Sequence, residues 1–319
     1  MLKSVFSQWY PPAATFTEED VLDQSGKVFI ITGANQGIGF ELTKSLYKTG
    51  ATIYMAGRSA DHMAASISKI RSSNPAPVTP STLKFLHLDL ADLASVKSAA
   101  AEFSRQETKV NILWNNAAIG GAPNGTATAQ NLEAHVGTNC VAPLLFTQLL
   151  LPQLRNAAQS APEGSVRVIW SGSAMVDTHS VLGGLNFKSI EEPQTTDSNT
   201  DYAASKVGNW FLAVEAAKAW SPYGIVSVVQ NPGNLDTKAY RYQSWFLVTL
   251  LKWLVLYPPK YGAYTLLFSG FSMEVKSGDF IWPWGRVARS PREDIHEAIR
   301  KGASERFWTW CEEKAKLHD

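Results

Sequence analysis

Short apolar runs recur along the 319-residue chain, and nearly every one is followed by a stretch whose apolar residues keep helical spacing. Residues 27–32 read KVFIIT, a β-branched run bounded by glycines, and Ile38, Leu42 and Leu46 then fall on one helix face until Gly50. The same alternation predicts strands at 52–56, 83–88, 110–114, 165–170, 225–229 and 280–282. It predicts helices at 59–72 with Ser59 as N-cap, at 93–103, at 129–157 with a bend at Pro143, and at 201–220. Residues 237–257 and 260–272 read as helical, 291–317 as mainly helical, and 175–200 as an irregular insertion. Strands that are apolar on both faces and alternate with helices belong in a parallel sheet covered on both sides. The expected fold is therefore a doubly wound α/β sheet. Residues 1–25 read as an arm and 26–319 as a single domain.

Composition narrows the function classes. Lysine and arginine total 29 against 28 aspartates and glutamates, a formal net charge of +1 that offers no bulk field to nucleic-acid phosphates or an anionic membrane. No nucleic-acid partner is expected. Cys140 and Cys311 form no CxxC pair, and the six histidines show neither HExxH nor i, i+4 spacing, so no metal is expected. That cysteine usage, with an N-terminal MLKSVFSQWYPP lacking the apolar core of a signal peptide, points to a cytoplasmic protein. The apolar stretch 245–257 is interrupted by Lys252 and stopped by Pro258 and Pro259, short of the roughly 20 residues a bilayer span needs.

Ligands of doubly wound sheets lie beyond the carboxyl ends of the strands, so the residues that follow each strand carry the functional reading. After the first strand come Gly33, Ala34, Asn35, Gln36, Gly37, Ile38 and Gly39. Gly33 permits a tight turn, Gly37 a close pyrophosphate and Gly39 close helix packing, while the helix N-terminus offers free N–H groups. After the second strand stands Gly57-Arg58, with no carboxylate for a ribose 2′-hydroxyl, and an arginine there suits a 2′-phosphate. This favours NADP(H) over NAD. After the third, Asp89 and Leu90 either meet an adenine edge or Asp89 caps a helix. The fourth strand ends in Asn115-Asn116-Ala117-Ala118, and Asn139 follows within a helix, where a solvent-facing position is the plain alternative. The fifth runs into Ser171-Gly172-Ser173, and Tyr202 and Lys206 share a face of the next helix at i, i+4. The ammonium can there depress the phenol pKa.

With these motifs in this order, the chain from about residue 27 to its end resembles the short-chain dehydrogenase/reductases, which have a Rossmann fold. The resemblance implies dinucleotide binding by the glycine turn and by Asn116-Ala117, where Ala118 replaces a glycine of the family's NNAG motif. It implies a catalytic set of Asn139, Ser173, Tyr202 and Lys206, with Ser173 favoured over Ser171 by the family register. Tyr202 and Lys206 would also touch the cofactor, as would Pro232-Gly233 after the sixth strand and Thr237 at the nicotinamide carboxamide. The long interval between serine and tyrosine, with GGLNF, WYPP and the PWGR and FWTWCEE tail, is similar to the retinol-dehydrogenase-like branch and its fungal secondary-metabolism members. That branch implies NADP(H)-dependent interconversion of bulky lipophilic alcohols, aldehydes and ketones.

Two other readings remain open at this level. One is a non-redox isomerase, dehydratase or cyclase on the same fold, and the other a dinucleotide-dependent binding protein without turnover. The aromatic-rich 238–259, with Tyr240, Tyr242, Trp245, Phe246, Leu250, Trp253 and Tyr257, reads as a lid over a bulky, largely apolar small-molecule substrate. A core-facing helix, a contact with a second copy of the chain in a homodimer, or a membrane-surface contact are its alternatives.

Overall fold

The computed structural model describes residues 2–73, 77–191, 197–236 and 255–316. The first half runs α1 (Leu2–Trp9), β1 (Val28–Thr32), α2 (Gly37–Leu46), β2 (Thr52–Gly57), α3 (Ala60–Ser73), β3 (Thr82–His87), α4 (Leu93–Gln106) and β4 (Ile112–Asn115). Then follow α5 (Ala134–Val136), a π turn (Gly137–Val141), α6 (Ala142–Leu149), α7 (Leu151–Ala158), β5 (Val166–Ser171), α8 (Met175–His179), α9 (Phe187–Glu191) and α10 (Ser198–Trp220). The described remainder contains β6 (Ile225–Gln230), α11 (Pro259–Phe271), β7 (Phe280–Trp282), β8 (Arg286–Val287), α12 (Glu293–Arg300) and α13 (Ala303–Lys316).

The strands form one sheet in the order β3-β2-β1-β4-β5-β6-β7-β8, parallel throughout except for β8. Strand order reverses between β1 and β4, which opens a crevice beyond their carboxyl ends. Alternate side chains of β1 supply both cores. Val28 and Ile30 face the apolar layer of α4, α6, α10 and α13, and Phe29 and Ile31 face that of α2, α3 and α11.

The sheet is the doubly wound one expected, with local corrections. Residues 129–157 do not form a single helix bent at Pro143: the axis turns by 55° between Leu149 and Leu151. Pro152 has no N–H for the Gln148 carbonyl and disfavours helical backbone at the residue before it, so the break falls there. Pro143 instead sits in the first turn of α6, directly after the π turn that holds Asn139. The insertion 175–200 contains two short helices, and α10 starts at Ser198 because Asp197 caps it, accepting from Asn199 N and Thr200 N at 3.2 Å each. The short antiparallel β8 was not expected. The arm opens with a helix, α1. No single helix among the described residues is long and apolar enough to cross a membrane.

The proposed lid falls almost wholly on 237–254, outside the described residues, as does Thr237. Its flanks are described. Tyr257 N donates to Asn234 O and Asp236 N to Tyr257 O, both at 2.9 Å, so the chain leaves and returns at one point beside the end of β6.

Candidate active site

The glycine turn is held by the end of β4. Gly33 (φ +71°) and Gly37 (φ +55°) occupy left-handed backbone that disfavours a side chain. A Cβ on Gly39 would lie 2.5 Å from the Gly33 carbonyl oxygen and 2.8 Å from Asn116 Nδ2. Asn116 donates from Nδ2 to Thr32 O at 2.8 Å, and Ala117 N donates to Thr32 Oγ1 at 2.9 Å. Asn116 and Ala117 thus pack the turn from beneath, and Asn115 ties β4 to α6 by donating to Thr147 Oγ1 at 3.0 Å. Gln36, extended at the N-cap of α2, makes no side-chain capping bond, which leaves first-turn N–H groups for an external anion. Ile38 packs toward α11, where a Cβ on Gly262 would meet it at 3.1 Å.

Arg58 is exposed one residue beyond Gly57, and a Cβ on Gly57 would lie 3.9 Å from Asn35 Oδ1 of the glycine turn. Asp89 is not the cap of α4. That role belongs to Asp92, which accepts from Ala94 N at 3.0 Å, while Asp89 holds the preceding turn through Ala91 N at 2.9 Å and Leu90 is buried.

Asn139 is 1% exposed, which overturns the solvent-facing alternative. Its Oδ1 accepts from Ile119 N at 2.9 Å, and Nδ2 donates to Ile119 O and Ser205 Oγ at 3.0 Å each. Pro143, four residues on, has no N–H to give the Asn139 carbonyl, so the α-helical bond that would occupy that oxygen does not form.

On α10, Lys206 is buried and donates from Nζ to Ser171 O at 3.0 Å, with Nζ 5.3 Å from the centre of the Tyr202 ring. Burial lowers its pKa to about 8. Asn209 donates to the same carbonyl at 2.8 Å. The Ser171 hydroxyl is buried and accepts from Gln230 Nε2 at 3.1 Å, turned along the sheet toward β6. Ser173, half-buried, stands past the strand end with Oγ accepting from Met175 N at 3.2 Å. Gly233 (φ +92°) donates its N–H to Asn231 Oδ1 at 3.1 Å, and a Cβ there would lie 3.6 Å from Trp284 Nε1.

The half-buried Tyr202 ring is bounded by Gly120, where a Cβ would lie 3.2 Å away, and by the edge of His135 at a centroid distance of 6.1 Å. His135 is fully buried. Its Nδ1 pairs with Glu133 Oε1 at 2.8 Å and Nε2 accepts from Ala122 N at 3.3 Å, an assignment that makes the ring neutral with its proton on Nδ1. Burial opposes ionisation of Glu133, yet bonds from His135 and from the N–H groups of His135 and Val136 hold its carboxyl below the usual range. Burial and the nearby Glu133 charge push Asp201, beside Tyr202 in sequence, up to about 6.

Residues 27–181 match the sequence profile described as short chain dehydrogenase. The chain is 55% identical over 322 residues to the short-chain dehydrogenase/reductase iacJ of Pestalotiopsis fici, covering 99% of each. The chain belongs to the short-chain dehydrogenase/reductase family. A second short-chain dehydrogenase/reductase, from Phomopsis amygdali, is 42% identical over 328 residues, spanning 99% of this chain and 97% of that one. NADPH-bound carbonyl reductase from chicken fatty liver shares the fold, with a TM-score of 0.61 at 23% identity over 85% of this chain and 100% of that one.

In this short-chain dehydrogenase/reductase, the glycine turn, Asn116, Ala117, Asn139, Ser173, Tyr202, Lys206, Pro232 and Gly233 all lie at or beside the carboxyl side of the sheet. The Glu133 and His135 pair carries no sequence signature, because histidine spacing points only to metal ligation and the pairing depends on complete burial. The same holds for Gln8, whose partners lie 169 and 223 residues away in sequence.

Proposed function

We propose that the chain is an NADP(H)-dependent oxidoreductase that interconverts a bulky lipophilic ketone or aldehyde with its alcohol. The carrying observation is the buried Lys206 ammonium beside the Tyr202 ring, anchored on the carbonyl of Ser171. The residues present fit a dinucleotide. The turn at Gly33, Asn35, Gln36, Gly37, Ile38 and Gly39 leaves backbone space and uncapped N–H groups for pyrophosphate, and exposed Arg58 suits a 2′-phosphate. Asp89 and Leu90 border the adenine side. Pro232 and Gly233 border the nicotinamide side, with Thr237 proposed to reach the carboxamide.

When bound, the nicotinamide supplies or accepts the hydride. Tyr202 donates a proton from its phenol to the carbonyl oxygen, and the Ser173 hydroxyl donates a hydrogen bond to the same oxygen as its charge develops. Lys206 favours the phenolate electrostatically and holds the nicotinamide ribose. The Asn139 carbonyl, freed from an α-helical bond by Pro143, would hold a water that carries protons from solvent to Lys206 and so restores the Tyr202 phenol after reduction, the reverse path serving alcohol oxidation. Support for an apolar substrate comes from Tyr257, Tyr261 and Trp284 beside Gly233, where Trp284 meets both tyrosines at centroid distances of 4.7 Å. The test is NADPH oxidation with benzil and cyclododecanone, with product identification. Alcohol formed in equal amount to NADPH consumed supports the reading; carbonyl isomerised or dehydrated without NADPH loss contradicts it.

A further inference from the structure

The N-terminal helix α1 lies across the same strand ends as the catalytic groups. Gln8, 3% exposed, donates from Nε2 to Asp177 Oδ2 at 2.6 Å and accepts at Oε1 from Asn231 Nδ2 at 2.8 Å. Asp177 belongs to α8, the turn of helix directly after Ser173, and Asn231 directly precedes Pro232-Gly233. One side chain thus ties together the segments that leave β5 and β6. Arg286 of β8 fixes the neighbouring residue, donating to Ser7 Oγ at 2.9 Å and to Ser7 O at 2.8 Å. These three partners place α1 on the carboxyl side of β5, β6 and β7.

Exposed rings flank the buried Gln8 at the end of α1. Phe6 is 64% and Tyr10 45% exposed, with ring centroids 4.9 Å apart. Burial raises the pKa of the Tyr257 phenol, and the charges of Tyr10 and Tyr261 raise it further. Tyr257 continues into Trp284 and Tyr261 beside Gly233. A cluster of rings thus stands beside the turn after β6, the segment to which Gln8 anchors α1.

We propose that α1 is a wall of the substrate site, that Gln8 positions it against the catalytic segments, and that Phe6 and Tyr10 contact the apolar body of the substrate. This rests on the carbonyl-reductase reading above and adds where specificity is set. The pyrophosphate and 2′-phosphate would be held on the opposite side of the crevice, at the turns after β1 and β2, so a variant of exposed Phe6, remote from those turns, separates substrate from cofactor.

Three variants test it. Gln8→Leu should raise KM for benzil and cyclododecanone by a larger factor than it weakens NADPH binding. Phe6→Ser, at an exposed position, should raise KM about tenfold, the size expected for losing burial of an aromatic side chain, with thermal stability kept. Because Cys140 and Cys311 are both buried, Phe6→Cys introduces the one exposed thiol among the described residues, and NADP+ with either ketone should slow its labelling by maleimide. Unchanged KM in Phe6→Ser together with labelling indifferent to ketone overturns the inference. So does an effect of these variants confined to oligomeric state or to binding of anionic vesicles. Ketone protection without turnover in the parent chain sinks the oxidoreductase reading and leaves α1 at a ligand site, whereas turnover without protection sinks this inference alone.

Discussion

The Lys206 ammonium lies 5.3 Å from the centre of the Tyr202 ring and donates at 3.0 Å to the carbonyl of Ser171, in a fully enclosed position. A buried ammonium is useful to the phenol and costly to the fold. With its pKa lowered from 10.5 to about 8, Lys206 costs the folded chain on the order of 3 kcal/mol below pH 8. Lys206→Met should therefore abolish turnover while raising the melting temperature of the cofactor-free protein at pH 7. Asn209 still donates to Ser171 O in that variant. Between pH 8 and 10.5 the unfolded chain keeps a proton that the folded one has shed, so wild-type stability rises with pH and the advantage of the variant shrinks. Thermal melts of both proteins across that window check the sign.

The two serines separate by their neighbours. Ser171→Ala removes the acceptor for Gln230 Nε2 in a buried place and should cost about 1–2 kcal/mol of stability with turnover largely kept. Ser173→Ala should leave stability nearly unchanged and lower kcat by about 100-fold or more. Denaturant titration and steady-state kinetics on both variants distinguish the roles, and the opposite ordering in kcat assigns the chemistry to Ser171.

Arg58 is exposed beside the glycine turn. Its replacement by alanine should weaken NADPH binding by about tenfold or more, the size of one charge-assisted contact, and leave NADH binding unaltered. Tryptophan-fluorescence titrations with both dinucleotides measure this. An equal loss for both means that the guanidinium does not read the 2′-phosphate.

His135 borders the Tyr202 ring and ties down the loop after β4. It accepts from Ala122 N, while Asn139 holds Ile119 of the same segment and Ser198 Oγ donates to Ala122 O at 2.9 Å. His135→Leu leaves the Ala122 N–H without an acceptor and should destabilise the protein by about 1–3 kcal/mol. It should also lower kcat more than it raises KM, with NADPH affinity retained. His135→Gln, which keeps an acceptor, should recover part of the loss in kcat.

What was legible in the sequence was local. The KVFIIT strand, the glycines after it and the i, i+4 relation of Tyr202 to Lys206 each need only a few consecutive residues, so periodicity and turn chemistry locate them. Burial of Asn139 was not legible, because it depends on a π turn and on Ile119, brought in from the end of β4. The apolar pattern suggests a bend at Pro143 instead of Pro152, since both prolines interrupt it and only packing places the break. Gln8, Glu133 and His135 carry no motif. Their roles arise from partners across the fold or from complete burial, which no window of sequence contains.

The proton donor is the centre of the account. NADPH oxidation with benzil should be measured for the parent chain and Tyr202→Phe, with NADPH affinity determined on both. The expected result is a fall in turnover of about 100-fold to 10,000-fold with dinucleotide affinity near that of the parent. A Tyr202→Phe protein that retains most of the parent's turnover contradicts the assignment of the phenol as the acid.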